Sequence, residues 1–241
     1  MDHGTLDPGQ IVSGMFNVAV SLKIDSFKQP ILLACALRLV RECKTKTSVF
    51  DAKRLETIGD RIINRIINQR LVDRQLPINV IHARNWILHS NAAFAYCALH
   101  FDFERVLERS GVQIERVDLS PEIGARHPLA DLFERIAGAI WLDRGRKSVE
   151  KFLDMYFWPL EDDILVHLAS QQKIRQLNVS CQRKGFEQPR IFGPYPMSNG
   201  KTGYKVFIGT HCIHEGGDQA GEVLIRALTR SLSWVARNES Q

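Results

Sequence analysis

Two acidic pairs are the residues best suited to chemistry. Glu56 and Asp60 stand four apart in R-L-E-T-I-G-D, and Asp131 and Glu134 three apart in L-A-D-L-F-E-R-I-A-G-A-I-W-L-D. Separations of three and four place both members of a pair on one face of a helix. Like charges held together beside an apolar stripe are costly unless a cation answers them. For the first pair that cation is either a set of arginines (Arg54, Arg61, Arg65) or a divalent metal. For the second it is Arg126 and Arg135, or the same metal. Four carboxylates converging from two helices make the oxygen-donor site that a hard cation such as Mg²⁺ requires.

Both pairs lie in runs of helical period. Leu55, Ile58, Ile62, Ile63, Ile66 and Ile67 form the apolar stripe of the first, expected to run to about Val72, with Pro77 marking its end. Leu132, Phe133, Ile136, Ala139 and Ile140 form that of the second, which Pro128 opens and which ends near Gly145.

These motifs resemble those of the ribonuclease III family. R-L-E-T-I-G-D is similar to its signature N-E-R-L-E-F-L-G-D, and the Asp131 segment to its A-D-x-x-E-A-x-x-G-A-x-x-L-D. Ser90-Asn91, in L-H-S-N-A-A-F-A, resembles a V-S-N-x-x-L-A element between them. Order, spacing and all four acids match over roughly residues 28 to 158. The resemblance implies an all-helical endonuclease domain in which Glu56, Asp60, Asp131 and Glu134 bind metal and catalyse hydrolysis, with Asp60 and Glu134 the most direct ligands. It implies Mg²⁺ as cofactor, with Mn²⁺ as substitute, and double-stranded RNA as substrate, cut to leave 5′-phosphate ends. A pair of metal ions ~3.5–4 Å apart is the usual arrangement for such hydrolysis. The family works as a dimer, so a homodimer is expected and a heterodimer is open. Three departures bear on this: Lys53 replaces the first Glu of the signature, Thr57 replaces the aromatic that plugs into a partner subunit, and the stretch after Pro77 lacks a further Glu.

Composition is that of an ordinary globular chain of 241 residues, 44% apolar and 24% charged. Its net charge of +5 and pI near 9.0 admit an anionic partner. The surplus lies at the C-terminal end, where ten Lys/Arg meet five Asp/Glu from Lys173 onward. Five cysteines without C-x-x-C spacing read as reduced thiols of an intracellular protein, cytoplasmic or mitochondrial. His211, Cys212 and His214 lie in a strand-like stretch with no second ligand pair, which argues against zinc. No apolar run approaches a membrane span and no signal peptide is evident.

The expected fold class is mainly α, with an endonuclease domain over residues 1–168, its first ~25 residues an extension, and a smaller domain over 169–241. Met1 to Gln10 is expected to fray, and Ile11 to Ile24 is either helix or strand. Helices are expected at Ile31–Arg41, His82–His100, Asp102–Glu108, Lys147–Phe157 and Leu160–Leu168, with loops at Lys44–Ser48 and Ser110–Arg126. Trp86, Phe94, Tyr96 and Trp141 are expected in the core, and Asn91 in packing or capping.

Beyond Lys173 the pattern predicts helix (Lys173–Lys184), strand (Pro189–Phe192), loop (Gly193–Thr202), a hairpin about Gly209-Thr210, and a helix over Asp218–Val235. This α-β-β-β-α order resembles the double-stranded-RNA-binding domain. Gly193-Pro194 sits where that family often has G-P-x-H, with Pro196 in place of its His. The expected RNA-binding residues are Lys173, Arg175, Lys201 and Lys205. The family's K-K-x-A-K helix start is here E-G-G-D-Q-A-G-E, so the phosphate grip is reduced. The expected function is therefore a Mg²⁺-dependent endoribonuclease in RNA processing or silencing. The alternative is an inactive scaffold or RNA-binding subunit, for example of a mitochondrial ribosome or an RNA-processing complex.

Overall fold

The computed structural model describes residues 8–24, 27–44, 48–109, 127–196, 202–218 and 222–237. The chain divides into two compact units, residues 1–161 and 162–241.

The first unit is helical. Helix α1 (Pro8–Ser21) and the short α2 (Pro30–Ala36) precede a small antiparallel hairpin, β1 (Glu42–Lys44) and β2 (Val49–Asp51). The long α3 (Ala52–Asp73) follows, then α4 (Ile78–Leu88), α5 (Asn91–His100) and α6 (Phe103–Arg109). Helix α7 (Pro128–Arg144), α8 (Arg146–Tyr156) and a 3₁₀ turn at Trp158–Leu160 complete it. Helix α7 is buried along nearly its whole length and packs on α2, α3, α5 and α8. Phe133 of α7 is fully buried, stacked against Phe94 of α5 at 5.8 Å and close to Phe103 and Phe152. The carboxylate of Glu161 is buried and answered by a forked pair from Arg74 at 2.7 Å and by Arg84 at 2.8 Å.

The second unit has α9 (Glu161–Arg183) beyond its first residue, an antiparallel sheet in the order β3 (Arg190–Pro196), β4 (Thr202–Ile208), β5 (His211–Asp218), and α10 (Glu222–Arg237). Its core joins Leu177 and Cys181 of α9, Val206 and Ile208 of β4, and Ala227, Leu228 and Val235 of α10. Both helices therefore cover the same face of the sheet.

Several expectations are corrected. Residues Pro8 to Gln10 begin α1 rather than fray, and α1 settles the choice between helix and strand. Helix α2 stops at Ala36, not Arg41, because Arg38 turns left-handed (φ 59°) and the Leu39 N–H closes back on the Ala34 carbonyl. Of the loop expected at Lys44–Ser48, Lys44 ends β1, and residues 45–47 lie outside those described. The helix expected over His82–His100 is two, since Ser90 is extended and its hydroxyl caps α5 by accepting the Ala93 N–H at 3.2 Å. Two helices expected over 160–184 are one, α9, because A-S-Q-Q at 169–172 holds no Gly or Pro to break it.

Strand β3 runs past Gly193-Pro194: a bulge between Phe192 and Tyr195 absorbs the proline, which has no N–H to give. Asp218 belongs to β5 rather than to the last helix. Trp86 is 53% exposed instead of core, and Tyr96 and Trp141 are only half-buried. The loop expected at Ser110–Arg126 lies outside the described residues.

Candidate active site

Helix α3 starts where Asp51, in extended conformation, accepts the Arg54 N–H on its carboxylate at 2.7 Å. Helix α7 starts on Pro128, with His127 Nδ1 accepting the Leu129 N–H at 3.3 Å. Asp131 thus lies in the first turn of α7, where the helix dipole favours an anion. The two helices touch backbone to backbone through glycines. A Cβ on Gly59 would stand 1.8 Å from the Glu134 carbonyl oxygen, and one on Gly138 would stand 2.1 Å from the Leu55 carbonyl oxygen. No residue with a side chain permits that approach, and it sets both acidic faces against one another.

The result is a cluster. Carboxylate oxygens of Glu56, Asp131 and Glu134 all lie within 4.8 Å of one another. Glu56 and Glu134 are buried, and Asp131 half-buried. Asp60, also half-buried, lies outside that triad one turn further along α3, where its Oδ1 accepts the Asn64 amide at 2.7 Å. It still acts electrostatically on the cluster. Burial first, then the charges of Asp60, Glu56 and Asp131, push the Glu134 carboxyl up to about 8, and Lys53 opposes them.

Among the described residues, no ion pair joins Arg54, Arg61 or Arg65 to Glu56 or Asp60. Arg54 turns instead to the Val49 carbonyl, and Arg61 and Arg65 are exposed. Arg126 lies outside the described residues. Two other cations among the described residues act on the cluster. Lys53 Nζ pairs with Glu56 from the solvent side. Arg135 is 6% exposed, and its Nε and Nη1 find no hydrogen-bond acceptor among the described residues. Burial and the neighbouring Arg38 draw the Arg135 guanidinium down to about 10, against the pull of Asp131 and Glu56. It stays charged at neutral pH.

This donor set fits a hard divalent ion. It is all carboxylate oxygen, mutually repelling, and includes an acid that would otherwise hold a proton at neutral pH. Glu56, Asp131 and Glu134 are placed to hold such an ion, with Asp60 at its edge. Ser90 and Asn91 serve α5 as cap and first residue. The neighbouring His89, whose Nε2 is buried without a partner among the described residues, is held below the usual imidazole range by burial, against the charge of Asp60. Asn64 and His89 carry no motif signal, although the spacing of four from Asp60 to Asn64 could have suggested the first.

The family model for the ribonuclease III domain matches residues 53–145, a span that contains all four acids. Over that stretch the chain is similar to the ribonuclease III family. Among curated relatives, it is 27% identical over 139 residues to Ribonuclease 3 of Pediococcus pentosaceus, covering 52% of this chain and 56% of that protein. It is 28% identical over 121 residues to Ribonuclease 3 of Chloroflexus aurantiacus, covering 49% of this chain and 47% of that protein. The chain spans about half the length of the curated relatives it matches. Within the matched stretch, Thr57 is exposed on α3, its hydroxyl donating to the Lys53 carbonyl at 2.9 Å. No helix of the described residues is long and apolar enough to cross a membrane.

The residues expected to bind RNA are dispersed. Lys173, half-buried, and Arg175, exposed, lie on α9. Lys205 lies on the sheet face opposite the helices, since Val206 and Ile208 point to the core and side chains alternate along β4. There it lines a shallow cleft with Arg190, Phe192 and Phe207. Lys201 is outside the described residues. His211 and Cys212 lie on β5, and no metal-ligand group forms from them among the described residues.

Proposed function

We propose that the chain is a divalent-metal-dependent endoribonuclease that hydrolyses double-stranded RNA, with Mg²⁺ as the working ion. The observation that carries this is the approach of Glu56, Asp131 and Glu134, from two helices, to within 4.8 Å of one another, inside a ribonuclease III domain.

A bound ion supplies an activated water and neutralises the charge that develops on the leaving 3′-oxygen. The chain's own residues do the rest. Glu56, Asp131 and Glu134 hold the ion, and Asp60, steered by Asn64, completes the cluster. Glu134 keeps its proton near neutral pH until a cation faces it, then releases it to become a ligand. The Gly59 and Gly138 contacts fix the spacing between the two acidic pairs.

The α-β-β-β-α order of the second unit supports a double-stranded-RNA-binding type of fold, with Lys173, Arg175, Lys201 and Lys205 as its RNA contacts. The family habit supports a dimer through the first unit, which would serve one RNA strand per site. RNA processing or silencing is the fitting role. An inactive scaffold is the second reading, favoured by Lys53, which already answers part of the acidic charge without metal. Incubating the purified protein with a long RNA duplex, with Mg²⁺ or with EDTA, separates the two. Cleavage only with Mg²⁺ supports the nuclease, and intact duplex in both supports the scaffold.

A further inference from the structure

Helices α9 and α10 pack on one face of the β3–β4–β5 sheet, and the other face carries a chequered patch. The register of β3 and β4 pairs Arg190 with Phe207 and Phe192 with Lys205. Paired residues share a face, so two aromatics and two cations alternate across neighbouring strands. Phe192 is 51% exposed, and its ring meets that of Phe207 edge-on at 5.6 Å. An edge-on pair is fixed in orientation without covering both faces of its rings. The Gly209 carbonyl steadies Arg190 by accepting from its Nη2 at 2.9 Å. Two acids border the patch. Glu215 is the register partner of Lys205 on β5, and the Glu187 carboxylate reaches the turn at Gly209. They temper the attraction for phosphate, so the aromatic pair decides what binds.

Alternating rings and cations on a sheet match unpaired nucleotides, whose bases stack on the rings while their phosphates meet Arg and Lys. A duplex keeps its base faces within its own stack and offers none to Phe192. The surplus of ten Lys/Arg over five Asp/Glu from Lys173 onward has the sign an anionic strand requires. We propose that this sheet face binds a single-stranded stretch of nucleic acid, with bases stacked on Phe192 and Phe207 and flanking phosphates on Arg190 and Lys205. The site belongs to the second unit and does not depend on the metal-site reading above.

The test titrates the full chain, in EDTA, against a fluorescein-labelled thymidine oligomer of about 12 nucleotides and reads anisotropy. A ribonuclease does not hydrolyse this deoxy strand, so the outcome is independent of cleavage. The expected result is binding by the wild type, about tenfold weaker for an abasic oligomer of equal length. Phe192→Ala, and Phe192→Leu, which keeps apolar bulk without the ring, should each lose about tenfold on the thymidine oligomer. Arg190→Gln should lower the salt slope of the logarithm of affinity by about 0.7. Arg230→Gln, exposed on α10, is the charge control and should bind as the wild type does. Thermal melts confirm that each variant folds. Equal affinity for the two oligomers, or equal losses in Arg190→Gln and Arg230→Gln, overturns the proposal. So does failure of the wild type to bind the thymidine oligomer; self-association that Phe192→Ala abolishes would then assign the face to a second copy of the chain.

Discussion

Gly59 lies so close to the backbone of Glu134 that a methyl group on it would stand 1.8 Å from the Glu134 carbonyl oxygen. The same crossing places Gly138 against the Leu55 carbonyl. Gly59→Ala or Gly138→Ala must therefore push the two helices apart. Overpacking of this kind costs about 3 kcal/mol or more when neither side can yield. Each variant should show that loss in urea unfolding, together with weaker Mn²⁺ binding. Wild-type stability and affinity in Gly59→Ala would mean that the crossing does not set the cluster.

The buried acid predicts a pH dependence. Glu134 titrates near 8 in the folded chain against 4.5 for an unperturbed carboxyl. The folded state thus holds this proton more tightly than the unfolded state. Its contribution to stability is complete below the unperturbed value and is lost as pH rises through about 8. Metal-free protein should become less stable across that window, and Glu134→Gln, which cannot ionise, should show a flatter profile. Divalent ion should stabilise the wild type more at pH 8 than at pH 6. Thermal melts with and without Mn²⁺ read all three, and an identical slope in Glu134→Gln would contradict the assignment.

Asn64 donates to Asp60 at 2.7 Å and holds it beside the cluster. Groups that orient metal-site carboxylates are worth roughly 10- to 100-fold in affinity or activity. Asn64→Ala should slow duplex cleavage by about that factor without altering the melting temperature by more than a few degrees. Cleavage assays at saturating Mg²⁺ decide it, and an unchanged rate would make the bond incidental.

Asp143 is a structural counterpart to these acids. Its side chain is fully buried and accepts the backbone N–H groups of Lys28 at 2.8 Å and Gln29 at 2.7 Å, tying α7 to the start of α2. Asp143→Ala orphans both donors and should cost about 3 kcal/mol in urea unfolding. A loss under ~0.5 kcal/mol would show that water replaces the carboxylate at no cost.

How far these features are legible in the sequence differs by cause. The acidic helices are legible because spacings of three and four fix a face, and Pro77, Pro128 and Gly145 mark their ends. The inward acid partners are only half legible. Gly59 and Gly138 look like any small residue until the opposite backbone is seen at contact distance. Arg135 reads as a counter-charge to Asp131 and Glu134, and its own burial shows only once the helix proves to be covered almost throughout. Trp86 lies outside the core, and α4 is apolar on several sides, so its pattern does not say which side is covered. The β3 bulge depends on pairing with β4, a non-local contact that no local pattern of Gly193-Pro194 reveals.

The account stands most directly on cleavage of a long RNA duplex by the wild type and Glu134→Gln, each with Mg²⁺ and with EDTA, beside a gel-shift assay of RNA binding. It predicts cleavage by the wild type in Mg²⁺ alone, and binding without cleavage by Glu134→Gln. Cleavage by Glu134→Gln at the wild-type rate, or by the wild type in EDTA, would contradict it.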